Sequence, residues 1–255
     1  MGVSMIIDAH VHIGSWKKEN KDYGFDERKV KELLKKLGID KACILPIAPP
    51  ELFQKEDVRR RDLDNQHILE ICEREECFIP IYWFNPFKPE ECRRALESGF
   101  KGLKYHPDLH LLPISDEKLE SVLKIAREYE VPVFVHTSEK SSESSIFRVH
   151  ETAERYPDIV FFALHSIDSF SATFYKAKEK GLYELDNIYY CIGGRSYLTE
   201  LKFIYDNVGA EHIVFSSDLP FGHPAIFLKY VELLTDDEKE RKMILGENIK
   251  KILKI

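Results

Sequence analysis

The feature that most constrains this chain is an alternation, repeated eight times, of a short apolar run with an amphipathic segment. The runs cover residues 5–12, 41–46, 78–84, 100–106, 131–136, 159–165, 187–192 and 212–218. Each is rich in Val, Ile, Phe or Tyr and nearly continuous, the pattern of strands buried on both faces of a parallel sheet. Helical periodicity falls between them, over 26–37, 88–98, 115–129, 169–180, 196–208 and 225–234, with two short terminal segments beyond. In the first of these, Val30, Leu33, Leu34 and Leu37 share one face and Gly38 stops the helix. Pro89 opens the second and Gly99 closes it. Eight such units in 255 residues predict an α/β fold, a (β/α)8 TIM barrel occupying 1–255 as one domain. An open doubly wound sheet would show a glycine-rich phosphate loop after its first strand, and none follows residue 12.

Charge and cysteine usage narrow the function classes. With 37 basic and 44 acidic residues the net charge is −7, which gives no global pull toward nucleic acid or an anionic membrane. No stretch is apolar for long enough to span a bilayer. The opening Met-Gly-Val-Ser-Met-Ile carries no basic leader, which predicts no signal peptide, and Ile6 stands where myristoylation wants Ser or Thr. Cys43, Cys72, Cys77, Cys92 and Cys191 are scattered and form no CxxC pair, as expected of reduced thiols in a cytoplasmic protein. The charged fraction, 32% and mostly Lys and Glu, is compatible with a thermophilic source.

In a barrel the chemistry sits where strands end. Run one ends Asp8-Ala9-His10-Val11-His12, run four Lys104-Tyr105-His106, run five at His136, run six at His165 and run eight at Asp218. Residues two apart on a strand point the same way, so His10 and His12 can face the axis together and share one cation. Joined to His136 and Asp218, and with His165 as a ligand or a polarising group, they form a nitrogen and oxygen donor set. That set suits Zn²⁺ first, with Mn²⁺ or Fe²⁺ as alternatives. Asp8 shares the parity of His10 and His12 and reads as a structural carboxylate. Asp218 could instead cap the helix beginning near His223. Lys104 and His106 share parity and, with Arg195 after Gly193-Gly194, could hold a carboxylated substrate. A lysine snorkelling at the rim and a surface arginine are the plain alternatives. His67, His110, His150, His212 and His223 have no strand-end partners and read as structural.

These segments resemble the amidohydrolase superfamily, in its amidohydrolase-related branch of hydrolases and decarboxylases. The resemblance rests on Ile7 to His12, Gly102 to Pro107, Pro132 to Thr137, His165, Phe215 to Gly222 and Ile244 to Asn248. It implies one or two divalent metals, with His10, His12, His136 and Asp218 on the usual ligand positions and His165 on that of the sixth strand. Some members carry a carboxylated lysine on strand four; Lys104 lies near that position, but the local Gly-x-Lys-x-His fits one-metal relatives better. Ser166 departs from the glycine frequent after the sixth-strand histidine. TatD-type nucleases share the opening motif but bring a glutamate on strand four, where this chain has Lys104.

The expected reaction is hydrolysis of a C–N or C–O bond in a small molecule by a metal-activated water, with Asp218 and His165 catalytic. Non-oxidative decarboxylation is the alternative, and a non-catalytic binding barrel a third. The expected partner is a small-molecule substrate, with no nucleic acid or membrane, and barrels of this family often pair as homodimers. Substrate choice is expected to lie in the loops 16–24, 46–58, 107–115 and 138–145.

Overall fold

A computed structural model describes residues 5–18, 21–138, 140–165, 172–194 and 197–255. Its strands are β1 (Ile7–Ile13), β2 (Lys41–Pro46), β3 in two pieces (Phe78–Pro80 and Tyr82–Trp83), β4 (Leu103–Tyr105), β5 (Val133–His136), β6 (Phe161–Leu164), β7 (Ile188–Cys191) and β8 (Ile213–Val214). Each lies parallel to the next in sequence. Between the two pieces of β3, the Ile81 amide bonds the Ile44 carbonyl at 3.0 Å, and the Tyr82 amide then turns to Gly102 at 3.0 Å. Pro80 has no amide to donate, which contributes to the break. The ring closes along β1, where Ala9 N reaches Phe215 O at 3.0 Å, Asp218 N reaches His10 O at 2.9 Å and His12 N reaches Leu219 O at 2.8 Å. The fold is a TIM barrel.

Helices α1 (Glu27–Leu37), α2 (Asn65–Arg74), α3 (Pro89–Glu97), α4 (Glu120–Glu128), α5 (Ile146–Arg155), α6 (Ala172–Glu179), α7 (Leu198–Val208) and α8 (Pro224–Leu234) follow the strands in order. α1 shows how local chemistry sets their ends. The Asp26 carboxylate accepts from Lys29 N at 2.8 Å, and Gly38 terminates the helix at φ 69°. One apolar cluster fills the space between strands and helices, Val11, Val30, Leu103, Val133 and Phe161 among it. A second runs through the barrel itself: Ile7, Ala9, Cys43, Leu45, Ile79, Ile81, Phe134, Phe162, Leu164, Cys191 and Val214.

β1 changes sides between the two clusters. Ile7 and Ala9 face the interior, whereas Val11 and Ile13 belong to the outer cluster. The register explains the change: Asp8 pairs with Ala42 but Val11 with Ile44, so β1 carries a bulge between them. One extra residue reverses which side chains point inward. His10 and His12 therefore enter the barrel, and Asp8 does not share their face. It turns toward the chain after β8, where it accepts from Ser217 N at 2.9 Å.

Several expected boundaries shift. The eighth run was expected to be a strand over 212–218, but only Ile213–Val214 pairs with β7; beyond it Phe215 N turns to Ile244 O and the other edge bonds β1. Within 115–129 the first turn, Glu117–Leu119, is a 3-10 helix. Helices α2 and α5 carried no clear periodicity in sequence, and the loops at 46–58 and 107–115 contain the short helices Pro50–Gln54 and Pro107–His110. The starts of the expected helices at 169 and 196 lie outside the described residues.

The barrel interior rests on ring packing. Phe134 and Phe162 stack at 4.4 Å between centroids, and a Cβ on Gly102 would stand 2.8 Å from Phe134 Cε2. Glycine is thus what leaves room for that ring. Phe134→Ala is expected to destabilise the protein by about 3–5 kcal/mol in denaturant unfolding; a loss under about 1 kcal/mol would mean the cavity collapses without it.

Candidate metal centre

At the C-terminal rim, the bulged end of β1 meets the chain leaving β8. Asp218 Oδ1 stands 3.5 Å from His10 Nδ1, 3.4 Å from His12 Nε2 and 3.8 Å from His165 Nε2. All four residues are buried. The donor atoms of His10, His12 and Asp218 lie within 4.8 Å of one another.

His165 reaches this group by an unusual route. Phe162 and Leu164 of β6 point into the barrel, so His165 would be carried outward by alternation. A left-handed backbone at φ 60° swings it back. Its Nδ1 lies 3.1 Å from the Gly193 carbonyl, and a Cβ on Gly194 would come within 2.4 Å of that same nitrogen. Asp218 is also left-handed, at φ 58°.

The hydrogen-bond pattern assigns the tautomers. A carbonyl only accepts, so Nδ1 of His165 donates to Gly193, and Nδ1 of His12 donates to Pro46 O at 2.8 Å. Both Nε2 atoms then present bare lone pairs toward an acceptor-only carboxylate. Metal-ligating histidines commonly donate their other ring N–H to a carbonyl in this way, which fixes the tautomer and the ring orientation. Neither nitrogen of His10 has a hydrogen-bond partner among the described residues. Converging lone pairs without protons between them repel unless a cation lies among them, so the residues fit a divalent metal.

His136 sits one ring further on. It meets His165 edge-on at 4.9 Å and stacks on His106 at 3.8 Å. His106 in turn lies parallel to Trp83 at 5.9 Å. Asp108 completes a second group with His106 and His136, but two rings stacked at an interplanar angle of 12° offer no point in the plane of both, so they would have to rotate to share an ion. Lys104 is buried with its ammonium 5.4 Å from the centre of the Trp83 ring, and no carboxylate is in ion-pair distance among the described residues. Arg195 lies outside the described residues.

Burial sets the protonation of the group. It drives His10, His106 and His136 well below the usual histidine value, with Lys104 opposing the charge of the first two and His106 that of the third. It lowers His165 too, against the pull of Asp218. Lys104 falls to about 7, again by burial, with Asp218 working the other way. Burial would raise the Asp218 carboxyl, but positive charge beside it, on the His165 ring first, outweighs this and holds it below the ordinary value; with the rings in the neutral tautomers above, that charge would have to come from a cation. An ionised carboxylate among ring nitrogens is equipped to hold a cation or to accept a proton.

These residues line a cavity of about 580 Å³ that also takes in Trp16, Phe53, Trp83, Asp108, Ser138, Lys140 and Phe221. Asp108, Phe53, Trp83 and the Ser138–Lys140 pair were not singled out from sequence, since nothing in their spacing ties them to the histidines. The histidines read as structural have plain roles where these are visible: His110 bonds the Arg61 carbonyl, His150 the Tyr190 hydroxyl and His212 the Ile188 carbonyl. The helix cap near 223 is His223 itself, which accepts from Ala225 N, rather than Asp218.

A barrel with this rim defines a class, and comparison with known proteins names it. Residues 7–255 match the family model described as Amidohydrolase, and the chain belongs to that family. Its fold is similar to that of 2,6-dihydroxybenzoate decarboxylase from Rhizobium, at a TM-score of 0.80 and 15% identity over 99% of each chain. A dihydroxybenzoic acid decarboxylase from Polaromonas, solved with manganese and 2-nitroresorcinol, gives 0.78 and 14% over 99% of this chain and 97% of that one. A probable 2-pyrone-4,6-dicarboxylic acid hydrolase from Acinetobacter baumannii, with citric acid bound, gives 0.74 and 13% over 98% and 99%. No curated protein sequence matches. Among the described residues, no helix is long and apolar enough to cross a membrane.

Asp8 offers a test of the rim's electrostatics. Burial raises its carboxyl from 3.8 to about 7, although Ser217 and His10 amides donate to it. Between these values the folded state binds a proton that the unfolded state has lost. Metal-free protein should therefore lose stability as pH rises through that window. Asp8→Asn, which keeps the acceptor, should flatten this slope in thermal melts run from pH 4 to 8; an unchanged slope would place the titration elsewhere.

Proposed function

We propose that the chain is a metal-dependent hydrolase that opens an ester, lactone or amide bond in a small, flat carboxylic acid. The observation that carries this reading is Asp218, ionised and within 3.4–3.8 Å of three imidazoles. A group held in that state is a base, and hydrolysis needs a base where decarboxylation needs an acid to protonate carbon. A divalent cation, Zn²⁺ or Mn²⁺, held by Asp218, His10 and His12 with His165 and His136 at hand, would supply Lewis acidity and ease the deprotonation of water near neutrality.

The chain's own groups account for the rest. Asp218 takes a proton from the attacking water and returns it to the leaving oxygen or nitrogen. Lys104, an ammonium without a carboxylate partner among the described residues, holds the substrate acid, with His106 beside it. The Trp83, Phe53, Trp16 and Phe221 rings offer flat apolar surface on which an unsaturated ring can lie.

Decarboxylation remains a second reading, favoured by Lys104 itself. With its pKa lowered to about 7 it is the proton-bearing group facing the cavity, and it could protonate the ring carbon as CO₂ leaves.

Two probes separate the readings: 2-pyrone-4,6-dicarboxylate for ring opening and 2,6-dihydroxybenzoate for CO₂ release, each assayed with added Zn²⁺ or Mn²⁺. Ring opening without CO₂ supports hydrolysis, and CO₂ from the second acid supports decarboxylation. Neither, across related lactones and ring acids, would sink both. Asp218→Asn is expected to lower turnover by about 10²- to 10⁴-fold. In parallel, elemental analysis should find metal in the wild type and its loss in His12→Ala.

A further inference from the structure

Between β1 and α1 the chain makes a small excursion. Its strands, Lys17–Lys18 and Lys21–Asp22, are two residues each and pair antiparallel. A hairpin that short is not stable by itself, so other contacts must hold it. At its neck, Gly14 N bonds Phe25 O at 2.9 Å and Tyr23 N bonds Trp16 O at 2.9 Å. A Cβ on Gly24 would stand 1.9 Å from Gly14 O, so the neck closes this tightly only with glycine there.

The carboxylate of Asp22 gathers the rest. It accepts from Ser15 Oγ at 2.7 Å, Trp16 N at 2.9 Å and Gly24 N at 2.9 Å. These three bonds also keep it ionised, below the usual aspartate value. Asp22 is exposed and far from being a ligand, yet the residue it fixes is not idle. Trp16 is partly buried, lines the main cavity and meets Phe221 edge-on at 5.5 Å. Phe221 meets the His12 ring at 5.8 Å. The Asp22 carboxylate thus anchors the Trp16 main chain, and from the Trp16 ring contacts run through Phe221 to a histidine of the candidate metal centre.

We infer that Asp22 is a positioning residue: it holds Trp16 as a wall of the cavity, and that wall selects flat ring acids over flexible ones. The selectivity half rests on the ring-acid reading above; the positioning half does not. A fixed indole loses little freedom when a ring packs on it, whereas a loose one must be ordered first. A flexible acid bound through its carboxylates alone gains nothing from either.

The chain has two tryptophans, and Trp83 is only 4% exposed. The difference in acrylamide quenching between the wild type and Trp16→Phe therefore reports on Trp16. Asp22→Ala should lose the protection of Trp16 and red-shift its emission. Asp22→Asn keeps a carbonyl oxygen for the Trp16 and Gly24 amides and should restore most of it. Unchanged quenching in Asp22→Ala overturns the positioning role whatever the substrate is. For selectivity, calorimetry on metal-loaded protein compares 2,6-dihydroxybenzoate with citrate. Asp22→Ala and Trp16→Ala should each weaken the first by about 2- to 10-fold, as an aromatic contact contributes, and leave the second unchanged. Equal weakening of both ligands, with metal content intact, overturns the selectivity. Failure of the wild type to bind 2,6-dihydroxybenzoate at all counts against the ring-acid reading and takes the selectivity with it, while the quenching result still stands.

Discussion

Everything in this barrel depends on β1 being hydrogen-bonded along both edges. On one side lies β2; on the other lies the stretch from Phe215 to Leu219, which closes the ring. That second edge places Asp218 beside His10 by backbone geometry, before any side chain interacts. The bulge in β1 does the complementary work. It lets the same strand supply Ile7 and Ala9 to a dry interior and then His10 and His12 to a polar rim. Without the extra residue, alternation would send the histidines into the layer between barrel and helices, where an imidazole has no water and few partners.

The rim that results is electrostatically unfinished as protein alone. Carbonyls of Pro46 and Gly193 take the Nδ1 protons of His12 and His165, which commits both rings to offering lone pairs toward Asp218. Burial removes the simple remedy of protonating His10 and His165, since it disfavours their charged form. The arrangement makes sense as half of a complex, its positive half being a divalent ion. Lys104 supplies a nearby positive charge, but as a fixed donor on a different strand and with its own pKa drawn down to about 7.

Much of this was legible from residue order. The eight runs located the strands because parallel strands buried on both faces must be continuously apolar. Strand ends were expected to bring His10, His12, His136, His165 and Asp218 to one rim, and all five line the same cavity. Three things were not legible. A bulge leaves no mark on a sequence, so Asp8 looked like a neighbour of the histidines when it faces the chain after β8. The inward swing of His165 needs a left-handed residue, and nothing in alternation predicts one. Helix α5 has no clear periodicity because its buried face includes His150 and Thr152 beside Ile146, Val149 and Ala153, which blurs the apolar stripe. Helix α2, with Asn65 on its buried face beside Ile68 and Ile71, hid in the same way.

The left-handed backbone at His165 and Asp218 has a consequence for how the protein could be engineered. Glycine adopts that conformation freely, whereas a side chain there costs about 1–2 kcal/mol per residue. The two side chains best placed for chemistry thus occupy the positions where a stability screen would favour their removal. Thermal selection applied to this barrel without an activity criterion would favour glycine at both positions, at the expense of whatever chemistry the two side chains perform.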